Sequence, residues 1–316
     1  MKSRNNVIDK IPYDKDVFLS QYLQKNIPVV LTGAIQSWPA LNKWNLEYFF
    51  KMLGDIKIRY RSSQSKYHPN MYGENTTLVD TSMEKFLSLF KAGNDAKLTY
   101  FLSGEFTWLY HAGQWNRNFE NINSDINIPD FIPLEQIERI GFWLSPQHVI
   151  SWLHYDGNGA HNFNAQILGI KKVCLISPHE ASCCYLHPYD EPDNFNFSRV
   201  DIEAINLNLY PDFKNVTRHE QTLNPGDVLY IPPFWLHSFE HIDTCNLNIN
   251  FWWHNQHVQV NPLAIRNHCL YQLRNIFGKN TDLMLSRSEF IHQLNSMNSD
   301  IKTLIDRLDR ALININ

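Results

Sequence analysis

The sequence predicts a mainly β protein flanked by helices on both sides, with its strands closed into a sandwich or a barrel. Three observations carry this reading. From about Phe142 to Trp253 the chain breaks into short β-rich runs, "HNFNAQILGIKKVCLISP", "GDVLYIPPFWLHSF" and "CNLNINFWW", separated by Gly, Pro, Asn and Asp. Ahead of that region, helical stretches mix with a short apolar strand; behind it, the apolar period becomes helical. With 316 residues, 43 % hydrophobic and 13 % aromatic, the chain carries enough apolar material for one large core.

Taken in order, residues 1–95 form a mixed lead-in packed on the core. Its "IPVVLTGAI" is a strand, and in "SWPALNKWNLEYFFKML" Pro39 and Asn45 mark two helix starts. Residues 96–254 are the β domain. Residues 255–316 are a helical tail: "NPLAIRNHCLYQLRNIFG" sets Leu263, Leu270, Leu273 and Phe277 on one stripe before Gly278, and Ser286 to Glu289 has capping-box spacing. The last helix places Ile301, Leu304, Ile305, Leu308 and Leu312 on one face. That stripe docks on its own domain or pairs with a second subunit; the residues leave both open.

Composition narrows the function classes. The N-terminus has no apolar core of signal-peptide length and no later run is long enough to cross a bilayer, so a soluble, cytoplasmic protein is expected. Five irregularly spaced cysteines read as reduced structural thiols. A net charge of -4 without a basic block argues against nucleic acid and for a protein, peptide or small-molecule partner.

The chemistry starts at "SWLHYDGNGAHNF". In a strand, side chains at i and i+2 share a face, so His154 and Asp156 project together. The Pro225-Gly226-Asp227 turn launches an apolar strand that reaches His237, which a neighbouring antiparallel strand can bring opposite His154. Two histidines and one carboxylate make the facial triad of non-haem Fe(II) oxygenases, with positions left open for co-substrate and oxygen. Beyond the turn at Gly169, Lys171 shares a face with apolar Val173 and Leu175, so it either meets an anionic partner or marks a solvated strand end. In "CNLNINFWW", Asn246, Asn248, Asn250 and Trp252 share a face that either meets water or lines a polar pocket.

Together these residues resemble the JmjC-type cupin hydroxylases, Fe(II)- and 2-oxoglutarate-dependent oxygenases, and within them the branch containing the asparaginyl hydroxylase that inhibits the hypoxia-inducible factor. The resemblance rests on "PVVLTGAIQSWPALNKW", "HYD" with "NFNAQILGIKK", "PGDVLYIPPFWLH", "NINFWW" and the helical tail, and so covers most of the chain. It implies a double-stranded β-helix, a jelly roll with the metal between two sheets, as the catalytic domain. His154, Asp156 and His237 become the iron ligands. Lys171, Ser151 and Tyr100 of "LTYFLSGE" bind the far carboxylate of 2-oxoglutarate, Asn162 and Asn250 flank co-substrate and metal, and Trp252 is a wall residue. Fe(II), 2-oxoglutarate and O2 are the implied cofactors, with hydroxylation of a protein or peptide side chain as the reaction and a homodimer formed through the tail.

Two departures from the family pattern stand out. The "GNGAH" between Asp156 and Asn162 is two residues longer than usual, and His161 in it reads as an exposed loop histidine, with entry into the pocket as the alternative. Where the asparaginyl hydroxylase carries an Arg-Gln pair that grips the target carboxamide, this chain has Asn196 and Phe197 ahead of Ser198-Arg199-Val200-Asp201. Phe197 cannot make those hydrogen bonds, which leaves open N-methyl-lysine demethylation, a modified nucleotide or small molecule as substrate, or a non-catalytic binding module.

Overall fold

The computed structural model describes residues 4–63, 76–91, 99–101, 108–156, 159–187 and 196–254. The tail helices, and with them the expected dimer face, lie outside these residues.

Eight strands between Ile137 and Trp253 form the centre of the molecule. They are β1 (Ile137–Pro146), β2 (Ile150–His154), β3 (His161–Leu168), β4 (Lys171–Ile176), β5 (Thr217–Leu223), β6 (Asp227–Ile231), β7 (Leu236–His241) and β8 (Cys245–Trp253). One sheet runs β5-β4-β7-β2 and the other β6-β3-β8-β1, all antiparallel. The chain changes sheet at every connection except β4 to β5, which is the jelly-roll arrangement. Gly169, at φ +70, makes the turn out of β3, and a Cβ there would meet the Cys245 carbonyl oxygen at 2.3 Å, so only glycine fits.

The run from Asp227 to His237, read from the sequence as one strand, is two. Pro232 and Pro233 supply no N–H for a ladder, and Phe234 sits at φ +61, so β6 ends at Ile231. The break matters because it carries the chain from one sheet to the other and opens β7 with Leu236-His237 beside β2.

The lead-in thickens one sheet. Val29–Thr32 pairs antiparallel with β6, and Lys10–Pro12 lies parallel beyond it. Helices Ala40–Lys43 and Leu46–Leu53 start at Pro39 and Asn45 as the sequence predicts, and the Asn45 side chain accepts from Tyr48 N at 2.8 Å. They cover the outer face of the β6-β3-β8-β1 sheet. There Phe163, Ala165, Ile167, Leu247, Ile249 and Phe251 share one buried cluster with Trp38, Trp44 and Phe49. Each large side chain so buried contributes about 1.5–3 kcal/mol. With the odd residues of β3 and β8 committed outward, their alternates must face the interior between the sheets. Asn162, Asn164, Asn248 and Asn250 are those alternates, and all four line the same internal cavity.

Candidate metal centre

His154 closes β2 and stands directly opposite His237 on β7, their ring centroids 4.3 Å apart. Asp156 lies two residues past the strand end, so the shared-face argument places it correctly although β2 stops short of it. One potential ligand atom from each residue lies within 4.8 Å of the others, and both histidines are buried.

The hydrogen bonds around the triad decide which atoms are free. His154 Nδ1 meets the Trp152 carbonyl at 2.6 Å and His237 Nδ1 meets the Trp235 carbonyl at 3.0 Å. A carbonyl oxygen only accepts, so each Nδ1 carries the proton and each Nε2 keeps its lone pair for a metal. On Asp156, Oδ2 accepts from Asn162 Nδ2 at 3.0 Å and from Trp252 Nε1 at 2.9 Å, while Oδ1 lies 3.8 Å from His237 Nε2. Burial and the neighbouring His237 pull the His154 pKa down to about 4. Burial raises the Asp156 carboxyl, but His237, His154 and the donors Trp252 and Asn162 outweigh it and hold the pKa below the ordinary value. With both Nδ1 protons directed at backbone carbonyls and the carboxylate held ionised, the triad turns imidazole Nε2 and carboxylate oxygen towards one point, the donors a divalent cation takes, so the donor set fits Fe(II).

One cavity of about 70 Å³ between the sheets is lined by the triad together with Ser151, Asn162, Lys171, Asn250 and Trp252. Lys171 is 1 % exposed. Its Nζ donates to Asn164 Oδ1 at 2.7 Å and lies 4.4 Å from the centroid of the Phe239 ring, with no carboxylate paired to it among the described residues. Burial pushes its pKa well below the usual lysine value. Lys172, one position on, points outward and pairs with Glu240 at 3.4 Å, so the solvated strand-end reading applies to it and not to Lys171. Tyr100 belongs to the short strand Thr99–Phe101, and its side chain lies outside the described residues.

His161 corrects both readings of the longer loop. It is 2 % exposed and opens β3 rather than sitting in a loop, and strand alternation turns it away from the cavity. It stacks on Trp253, ring centroids 5.1 Å apart, and its Nδ1 meets the Tyr230 hydroxyl at 2.8 Å. Burial, with His254 nearby, lowers its pKa to about 3.

Further residues reach the site: Phe197, singled out in the sequence only for its place in substrate recognition, and His241, Ser145, Asn164 and Gly141, which were not singled out. Phe197 bridges to His154 and stacks on its ring, centroids 5.0 Å apart. His241 and Ser145 hydrogen-bond to each other in the cavity wall, and burial, followed by Lys171, drives the His241 pKa to about 3. Asn164 could have been found from its place two residues after Asn162 on the same strand face. Gly141 has a packing role: a Cβ there would meet the Trp252 ring at 2.7 Å, so the glycine makes room for the indole that holds Asp156.

Comparison with known proteins agrees with this geometry. The family description "Cupin-like domain" matches residues 15–259. Lysine-specific demethylase 8 of Xenopus tropicalis is 30 % identical over 240 residues, covering 75 % of this chain and 50 % of the relative. Lysine-specific demethylase JMJ30 of Arabidopsis thaliana is 28 % identical over 247 residues, covering 76 % and 52 %. The tRNA wybutosine-synthesizing protein 5 of Danio rerio is 28 % identical over 235 residues, covering 71 % and 68 %. The chain thus spans about half the length of the two demethylases it matches. Sheet topology, a His-x-Asp and a distant His brought together by paired strands, and a matched span this long together make the chain a member of the cupin-like domain family, of the JmjC type.

Proposed function

We propose that the protein is an Fe(II)- and 2-oxoglutarate-dependent oxygenase that hydroxylates a side chain of a protein or peptide, releasing succinate and CO2. The observation that carries this is the meeting of a His154, Asp156, His237 donor set with a buried, anion-starved lysine in one cavity. A pure binding module has no use for that pairing. When Fe(II) is bound, the site supplies O2 activation coupled to oxidative decarboxylation of the keto acid. The chain's own residues do the rest. The two imidazole Nε2 atoms and Asp156 Oδ1 would hold the metal, three protein donors being the set that leaves room for exogenous ligands. Lys171 and Ser151 neutralise the far carboxylate by charge-assisted hydrogen bonds, and Tyr100 joins them on the strength of the family pattern. Asn162, Asn250 and Trp252 orient Asp156 and wall the pocket, while enclosure between the two sheets limits the access of water to the reaction.

A second reading keeps the chemistry and changes the substrate. Two relatives bear the name lysine-specific demethylase and a third is named for tRNA wybutosine synthesis. Removal of an N-methyl group uses the same hydrogen abstraction and releases formaldehyde from an unstable hemiaminal. Phe197 makes the wall over His154 apolar, which does not supply the carboxamide grip of an asparaginyl hydroxylase, whereas an aromatic and apolar wall accepts an N-methyl group.

Purified protein with Fe(II), ascorbate and 2-oxoglutarate is expected to form succinate, at a rate that a peptide substrate increases and that His154→Ala and Asp156→Ala each abolish. Formaldehyde appearing in step with succinate would select demethylation. Neither turnover nor calorimetric binding of 2-oxoglutarate to the metal-loaded protein would leave a binding module. The tail stripe supports a homodimer as part of the same proposal: Leu308→Glu should halve the mass seen by light scattering, and an unchanged mass would refute that role.

A further inference from the structure

Four asparagines alternate along two neighbouring strands on the cavity side of the sheet, Asn162 and Asn164 on β3 and Asn248 and Asn250 on β8. None is more than 5 % exposed. Three of them form a single file of carboxamides. Asn248 Nδ2 donates to Asn250 Oδ1, Asn250 Nδ2 donates to Asn162 Oδ1 at 2.9 Å, and Asn162 Nδ2 donates to Asp156 Oδ2 at 3.0 Å. The direction of the file is imposed at one end. An ionised carboxylate only accepts, so Asn162 must turn its NH2 to Asp156 and its oxygen to Asn250, and Asn250 must do the same towards Asn248. Flipping any one amide brings like against like, which in a buried site leaves polar groups unpaired.

We infer that Asn248 is a positioning residue for the metal centre: acting through Asn250 and Asn162, it holds Oδ2 of Asp156 and so leaves Oδ1 as the ligand atom offered beside His237. The inference rests on the metal-site reading and adds to it a residue that does not touch the triad. Trp252 Nε1 is the second donor to Oδ2, and its indole is itself held by Arg139, whose guanidinium carbon lies 4.6 Å from that ring. Oδ2 is therefore fixed from two directions, by a packed indole and by a file of amides whose polarity can be reversed.

Reversing it is the test. Asn248→Asp offers only acceptors at the start of the file, so Asn250 turns its NH2 towards the new carboxylate and its oxygen towards Asn162. The file then has an acceptor at each end, so one junction must set oxygen against oxygen: either Asn162 gives up its bond to Asp156 Oδ2, or it keeps that bond while its own oxygen loses the Asn250 donor that fixed it. Co(II) is a suitable probe because its visible spectrum reports the ligand set without turnover. Asn248→Asp is expected to weaken Co(II) binding about 10–100-fold and to alter the spectrum, as loss of outer hydrogen-bond partners does. Asn248→Ser keeps a hydroxyl that can donate and is expected to restore most of the affinity. Should Asn248→Asp fail to fold by circular dichroism, Asn248→Ala carries the test, with a several-fold loss expected. Added negative charge alone would tighten cation binding, so unchanged or tighter binding by a folded Asn248→Asp overturns the inference. If that happens while His154→Ala still abolishes Co(II) binding, the metal site stands and only the role of Asn248 falls. If wild type and His154→Ala bind Co(II) alike, the metal-site reading falls and the inference with it.

Discussion

Lys171→Met is expected to weaken binding of 2-oxoglutarate to the metal-loaded protein by about 30-fold to several thousand-fold, the equivalent of the 2–5 kcal/mol typical when one partner of a buried charge pair is truncated. The size of the effect follows from what surrounds the amine. Among the described residues Lys171 has one hydrogen-bond partner, the neutral Asn164 carbonyl, and burial already works against its charged form. An arriving carboxylate supplies the missing counter-charge, and methionine leaves that carboxylate desolvated with only hydroxyl and amide partners. The fold should hardly register the change. Removing a poorly solvated amine relieves a penalty, while Asn164 loses a donor at a cost of about 1–3 kcal/mol, so the two oppose each other. Isothermal titration of 2-oxoglutarate, with a thermal melt as control, checks both halves. Affinity within threefold of wild type would mean that Lys171 does not receive the carboxylate.

Lys171 also shows what the sequence could and could not say. Its place two residues after Gly169, alternating with Val173 and Leu175, marked it as a lysine on an apolar face, because β periodicity is local. The two strands of "HNFNAQILGIKKVCLISP", the strand of "CNLNINFWW", the turns at Gly169 and Gly226 and the helix starts at Pro39 and Asn45 were legible for the same reason, whereas Ile137–Pro146 and Thr217–Leu223 were not picked out as strands. The pairing of His154 with His237 was inferred as an opportunity and observed as a register. What failed was reading across breaks. The Pro232-Pro233 step hides a change of sheet inside an apolar run, and His161 was taken for a loop residue because nothing nearby in sequence reveals the Tyr230 and Trp253 rings it packs against. The choice for the asparagine face between water and pocket was likewise settled by the outer face of the sheet, where residues from the lead-in cover Ile249 and Phe251.

The largest such gap is Asp125, a residue with no local pattern to mark it. It is 1 % exposed and accepts from Lys43 Nζ at 2.7 Å, Trp44 Nε1 at 2.9 Å and the Tyr48 hydroxyl at 2.6 Å, across sequence separations of 77 to 82 residues. One carboxylate thereby fixes both short helices that roof the β6-β3-β8-β1 sheet. Asp125→Ala is expected to destabilise the protein by about 2–6 kcal/mol, because a buried indole N–H and a phenol each lose their acceptor while Lys43 can return to solvent. Burial raises the Asp125 carboxyl, but the donors Lys43, Tyr48 and Trp44 prevail and hold its pKa below 3.8. The sign of the pH dependence follows. With the folded pKa depressed, the ionised group's contribution is present in full above the unfolded value and is lost as pH falls through the folded one. Asp125→Asn keeps the shape and one acceptor without the charge, so its stability deficit should be full at neutral pH and should close in acid. Denaturant midpoints of wild type and Asp125→Asn across that range read it directly. A deficit that stays constant down to strong acid would show that shape and hydrogen bonding, and not the charge, hold the helices to the sheet whose inner face carries the four asparagines beside the metal site.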